Sequence, residues 1–152
     1  MRMVYFEDLE VGADYMGPEC LVDDKEMLEY NRRNDPWPIH VDEAAALQAP
    51  FGGVIASGGF TITLSYRLSH GVYNTPDAQW AFLGGFDWRV KFPAPVRAGD
   101  ALRYRLTVLS KKSSSKPGRG VATIRSRLTN QRGEVVLEVE AVILMATRPG
   151  DL

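Results

Sequence analysis

The sequence predicts an α+β domain in which a strongly curved antiparallel sheet wraps around one apolar helix. Two observations carry this. Three long segments of the C-terminal half alternate apolar with polar residues, and Phe60, Leu64 and Leu68 recur at spacing four beside Thr61 and Ser65. Alternation is the period of a half-buried strand, and a spacing of four lies along one helix face. No residue from Ala44 to Tyr66 is charged, so that helix needs protein around it.

In chain order, Val4 to Phe6 reads as a short strand and Tyr15 to Val22 as another. Asp23 or Asp24 can cap a helix through Lys25, Met27, Leu28 and Tyr30, and Asp42 a short helix from Glu43 to Gln48. After Gly52-Gly53, Ser57 can cap the apolar helix, with Gly58 and Gly59 in its first turn. Gln79 to Phe92 reads as one strand ended by Pro93-Ala94-Pro95, because proline removes a ladder donor. Leu102 to Val108, Ala122 to Leu128 and Val135 to Met145 are the three alternating strands. Asn130-Gln131-Arg132-Gly133 is the hairpin connection between the last two, and Lys111 to Gly118 a polar loop.

Its 152 residues fit one domain spanning 1–152, and 45% hydrophobic with 24% charged residues is an ordinary globular composition. One cysteine, Cys20, excludes an internal disulfide, and His40 and His70 are too few for a His/Cys zinc cage. A hard cation among carboxylates stays open at this stage. The start lacks a basic segment followed by an apolar stretch, so no secretory signal is expected and cytoplasmic residence is the default. Gly52, Gly53, Ser57, Gly58, Gly59, Thr61 and Thr63 dilute the uncharged stretch too far for a membrane span.

The net charge of −1 hides an asymmetry: residues 1–50 carry 4 basic and 12 acidic side chains, residues 101–152 carry 10 and 4. A near-neutral total argues against nucleic acid as partner. The basic third either meets a smaller polyanion or pairs with the acidic third.

Familiar catalytic motifs are missing. Ser57 lacks the glycine two residues upstream that a nucleophile elbow needs, no glycine-rich segment ends in Gly-Lys-Ser/Thr, and Gly118-Arg119-Gly120 has no third glycine at dinucleotide spacing. What remains is Asn34-Asp35-Pro36-Trp37-Pro38-Ile39-His40-Val41-Asp42-Glu43. Two prolines bias Asp35 and Trp37 to extended conformations, which places Asp35 and His40 on a stiff, non-helical loop. A carboxylate and an imidazole on one loop can share a water and move its proton near neutral pH. On spacing alone the commoner reading makes Asp35 a turn residue and His40 a satisfied polar group, since Asp-Pro and Pro-x-His are ordinary loop chemistry.

Asp35-Pro36-Trp37-Pro38-Ile39-His40 resembles the hydratase motif of the MaoC-like, (R)-specific enoyl-CoA hydratase family, roughly G-D-x-N-P-[LIV]-H. The likeness continues in Ala49 to Gly58, in Val96-Arg97-Ala98-Gly99-Asp100 and in Asn130 to Val136, and runs from about Asp23 to Met145. It implies a hotdog fold, with Asp35 and His40 as the catalytic pair. The implied reaction is reversible addition of water to a trans-2-enoyl thioester, giving an (R)-3-hydroxyacyl thioester. Trp37 stands where many members carry asparagine, Asn34 where they carry glycine, and Ser57 where they carry histidine.

From that resemblance follow further expectations. Asp35 is the base on water and His40 the group that returns a proton. The Gly58 N–H receives the thioester oxygen, and Trp37 and Ser57 line the acyl site. The substrate is an acyl-CoA or acyl carrier protein thioester, with coenzyme A entering as part of the substrate and no other cofactor. Lys111 and Lys112, among Arg89, Lys91, Lys116 and Arg119, are candidates for its phosphates. A homodimer, or a higher assembly of dimers, is the expected form. A hotdog thioesterase and a non-catalytic acyl-thioester binder are the alternatives.

Overall fold

The computed structural model describes residues 1–150. Twelve short elements build it. Strands β1 (Arg2–Val4), β2 (Asp14–Leu21), β3 (Ala78–Trp80), β4 (Phe82–Lys91), β5 (Ala101–Ser113), β6 (Arg119–Thr129) and β7 (Val135–Ala146) are accompanied by a 3₁₀ turn, Phe6–Asp8. The helices are α1 (Asp24–Asn34), α2 (Pro38–Val41), α3 (Glu43–Gln48) and α4 (Gly58–Tyr73).

Five strands form one antiparallel sheet in the order β2-β5-β6-β7-β4. Its inner face is the apolar half of each alternating segment: Leu102, Tyr104, Leu106 and Val108 on β5 are buried, as are Ile124 and Leu128 on β6 and Leu137, Ile143 and Met145 on β7. These side chains close over Phe60, Leu64 and Leu68 of α4, all nearly inaccessible, so the apolar helix is wrapped as its composition requires. This is a hotdog fold. Among the described residues no helix is long and apolar enough to cross a membrane.

On the outer face the basic C-terminal third meets the acidic N-terminal third. Arg103 pairs with Glu19 at 3.1 Å, Arg105 with Asp14 at 2.8 Å and Arg148 with Asp8 at 2.6 Å. Such exposed pairs stabilise little. They do account for much of the charge asymmetry without a polyanion.

Three expectations change. Val4 to Phe6 is not one strand: β1 ends at Val4, and the Asp8 carboxylate accepts the Tyr5 N–H at 2.8 Å to close the 3₁₀ turn, which lays the Phe6 ring on Gly120. Gln79 to Phe92 divides at Ala81, because β3 pairs in parallel with β1 in a separate two-stranded sheet before the chain joins β7 as β4. The polar segment from Lys111 begins as strand, since a register shift between Val108 and Ser110 lets β5 stay paired with β6 to Ser113.

Helix α4 also rests on β2, and there it carries a glycine for close approach. A methyl group on Gly71 would lie 2.3 Å from Cδ and 2.7 Å from Cγ of Pro18, a rigid ring at the irregular point of β2. Gly71→Ala gains about 1 kcal/mol of helix propensity, but overpacking against a ring that cannot rotate away costs about 1–3 kcal/mol. A lower urea midpoint than wild type is expected; an equal or higher one would show that β2 yields freely.

Candidate active site

The site is assembled where α1, α2 and the entry to α4 converge, and its centre is a residue with no charge. Asn31, on the inward face of α1 one turn after Met27, is completely buried. Its amide nitrogen donates to the carbonyl of His40 at 2.9 Å and of Ile55 at 3.3 Å, and its amide oxygen accepts the Ser57 N–H at 3.0 Å. One side chain thereby fixes three backbone segments.

His40 is 7% exposed and lies on α2, a single helical turn with Pro38 at its first position, so the expectation of a wholly non-helical loop is corrected. Proline supplies the helical φ and lacks only an N–H that the first turn leaves unused anyway. The imidazole Nδ1 stands 2.8 Å from the Ile55 carbonyl. A carbonyl only accepts, so Nδ1 carries the hydrogen, and Nε2 is the nitrogen left to exchange a proton.

Nε2 faces Asp35 Oδ2 at 3.6 Å. That exceeds a direct hydrogen bond, and a water bound from one side at about 2.8 Å can reach both atoms. Asp35 is partly exposed and is held by the Ser57 hydroxyl, which donates to the same Oδ2 at 2.8 Å. Ser57 occupies the cap position of α4 as expected, but its hydroxyl makes no capping bond because it serves Asp35. Gly58 opens α4, so its N–H has no acceptor within the helix.

Both glycines of the first turn also permit close packing. A methyl on Gly58 would meet the Phe92 ring at 2.8 Å, and one on Gly59 the Tyr30 hydroxyl at 2.4 Å. The turn that looks like the family's P-V-R-x-G-D supports the same entry: Ala56 N–H donates to Val96 carbonyl at 2.8 Å, and buried Asp100 accepts the Arg97 N–H at 2.9 Å.

Asp35, His40, Ser57 and Gly58 therefore come together, and three other candidates do not. Trp37 turns outward and is 67% exposed, so within this chain it does not wall the large cavity beside α4. Lys111 donates to the carbonyls of Phe6 and Glu7 at 3.3 Å each and caps the Phe6 ring. Lys112 is exposed beside it on β5. The turn before β5 adjoins the site through the Val96 carbonyl, which accepts the Ala56 N–H, and Lys111 and Lys112 lie at the other end of that strand, roughly 30 Å from Ala101 at strand rise. Within the same chain they are too remote to meet a carrier phosphate near Asp35. Among the described residues no three His, Cys, Asp or Glu side chains are placed to hold a metal ion.

Asn31 was hidden in the sequence, but its spacing of four from Met27 puts an amide on the buried face of α1. Asn31→Ala would strand the Ser57 N–H and the His40 carbonyl. A loss of roughly 2–4 kcal/mol is expected from two unsatisfied buried groups. Chemical denaturation would register it; a change below about 0.5 kcal/mol would mean that water replaces the amide.

Comparison with known proteins agrees with this geometry. Residues 10–130 match the model of the MaoC like domain. The 3-hydroxyacyl-thioester dehydratase Z of Mycobacterium tuberculosis is 42% identical over 65 residues, 43% of this chain and only 42% of that protein's length. The 3-hydroxybutyryl-CoA dehydratase of Methylorubrum extorquens is 29% identical over 143 residues, 94% of this chain and 85% of that protein. A solved MaoC-like dehydratase from Rhodospirillum rubrum superposes with a TM-score of 0.86 at 33% identity, covering 96% of this chain and 99% of that one. With most of its length in the domain match and the Asp35/His40 motif intact, the chain belongs to the MaoC-like dehydratase family.

Proposed function

We propose that the protein is a hydro-lyase interconverting trans-2-enoyl and (R)-3-hydroxyacyl thioesters, the acyl group being carried on coenzyme A or an acyl carrier protein. The observation that carries this reading is the Asp35 Oδ2 to His40 Nε2 separation of 3.6 Å, with Nδ1 tied to a carbonyl. The pair can hold one water and exchange two protons. Relatives named as 3-hydroxyacyl-thioester and 3-hydroxybutyryl-CoA dehydratases support the same chemistry.

In the hydration direction the water oxygen bonds to C3 while its proton passes to the Asp35 carboxylate. The π electrons move onto C2 and the thioester oxygen, and C2 then takes a proton from Nε2 of the His40 imidazolium. Transfer of the proton from Asp35 to His40 restores the starting state. Charge that builds on the thioester oxygen is met by the Gly58 N–H at the positive end of α4. No resident cofactor is needed, since coenzyme A takes part only as the carrier.

The open edge of β4 supports a homodimer. Among the described residues no strand pairs with its outer side, and Phe82, Leu83 and Phe86 are each more than half exposed along it. Such an edge is stable when a second sheet pairs with it.

Asp35→Asn and His40→Gln are each expected to lower hydration of a trans-2-enoyl-CoA panel by at least about 100-fold, the scale of a general acid or base, with melting temperatures near wild type. Disappearance of the conjugated enoyl absorbance is the readout. Free coenzyme A as product instead of a 3-hydroxyacyl thioester would assign the site to hydrolysis. Sedimentation at assay concentration is expected to give a dimer, and a fully active monomer would overturn the paired-edge assembly.

A further inference from the structure

The connection from β4 to β5 runs across the entry of α4. Phe92, where it begins, lies half-exposed with its ring against Gly58, and further along the Val96 carbonyl accepts the Ala56 N–H at 2.8 Å. Arg97 follows directly. Its Nη2 donates to the Phe51 carbonyl, and its Nη1 lies where a methyl group on Gly53 would touch it at 3.4 Å. The turn beneath is fixed, because buried Asp100 accepts the Arg97 N–H at 2.9 Å with one carboxylate oxygen and the Gln131 amide at 2.9 Å with the other.

A guanidinium carries five N–H donors, and the Phe51 carbonyl takes one of them. Arg97 is partly exposed, and among the described residues no buried side-chain nitrogen lacks a hydrogen-bond partner. The donors that Arg97 does not use within the chain therefore open to solvent. Nor does a carboxylate neutralise it: among the described residues Arg97 is in no ion pair, whereas Arg103, Arg105, Arg127 and Arg148 each have one. Arg89 and Lys91, just before the connection, stand opposite Glu140 and Glu138 of β7. A cation on a rigid turn with unused donors suits an anionic oxygen group arriving from water.

Its distance from the proposed oxyanion donor narrows the choice of group. Ala56 precedes Gly58 by two residues, so the bond to Val96 keeps the Arg97 Cα within about 13 Å of the Gly58 N–H at extended-chain reach. From sulfur to phosphate, a pantetheine arm is as long as roughly four extended residues, on the order of 14 Å. A thioester oxygen at Gly58 leaves that phosphate within reach of the arginine.

We propose that Arg97 receives the phosphate at the end of the pantetheine arm, the group that coenzyme A and an acyl carrier protein share. Placing the thioester at Gly58 rests on the hydratase reading above. The Phe51 carbonyl holds one side of the guanidinium, and the open side donates to the phosphate oxygens.

The test compares one trans-2-enoyl group carried on pantetheine, on phosphopantetheine, on coenzyme A and on an acyl carrier protein. Wild type is expected to show a KM about tenfold lower for the phosphopantetheine than for the pantetheine thioester, the scale of a hydrogen bond to a charged group. The kcat values should be similar, as for uniform binding, and the ratio should shrink as salt rises. Arg97→Gln is expected to bring the KM ratio close to one, Arg97→Lys to keep part of it, and Arg33→Gln, at the exposed end of α1, to leave it intact. Whichever full carrier is turned over, coenzyme A or the carrier protein, should suffer the same KM rise in Arg97→Gln. A purely structural arginine would weaken both small thioesters alike, and a ratio unchanged in Arg97→Gln would overturn the proposal. So would equal wild-type KM values, a ratio lost in Arg33→Gln instead, or a penalty seen with coenzyme A but not with phosphopantetheine. Calorimetric titration with the saturated acyl-phosphopantetheine and acyl-pantetheine reads the same preference without turnover. A phosphate preference there with no hydration of any member would sink the hydratase reading and leave this one standing.

Discussion

The buried amide of Asn31 is the interaction on which the site depends. One of its bonds holds the His40 carbonyl on α2 and two hold the Ile55 carbonyl and the Ser57 N–H at the entry to α4, so α1, α2 and the entry to α4 cannot shift independently. The Ile55 carbonyl shows the consequence most directly, because it accepts from both Asn31 and His40 and so spends both lone pairs. The orientation of the imidazole, and with it the nitrogen that faces Asp35, is set by an amide that touches neither. An apolar residue at position 31 could fill the same space but would leave those backbone groups unpaired.

Much of the fold was legible because it rests on periodicities that a sequence displays openly. Phe60, Leu64 and Leu68 announce a helix buried on that face, and Val135 to Met145 a strand, with no tertiary information. What stayed hidden depended on partners distant in sequence. Ala81 divides β3 from β4 because its N–H bonds to Val4 and its carbonyl to Ala146, neither of them near it in the chain. The site divides in the same way. Asp35 and His40 were visible through their offset on a proline-rich stretch, whereas Asn31 looked like an ordinary helical amide until 0% exposure made its three bonds obligatory. Where Trp37 and Lys111 point was not legible, because proximity in sequence, or positive charge, says nothing of side-chain direction: within this chain Trp37 faces outward and Lys111 turns to the Phe6 and Glu7 carbonyls.

Ser57 shows how the helix entry is divided between stability and chemistry. A serine at this position normally caps the first turn, and losing such a cap costs about 1 kcal/mol. Here the hydroxyl donates to Asp35 instead, so the first N–H groups of α4 keep no side-chain acceptor. The lost cap is offset by anchorage from outside the helix: Asn31 holds the Ser57 N–H, and Val96 holds that of Ala56. Under the proposed reaction the arrangement is economical in its geometry. The hydroxyl restrains the carboxylate that takes the proton of water, while the uncapped Gly58 N–H stays free for the oxygen on which charge develops. A side-chain cap at Ser57 would compete with both roles, which is why the stabilising bonds at this helix end come from the segments behind it and not from the residue that opens it.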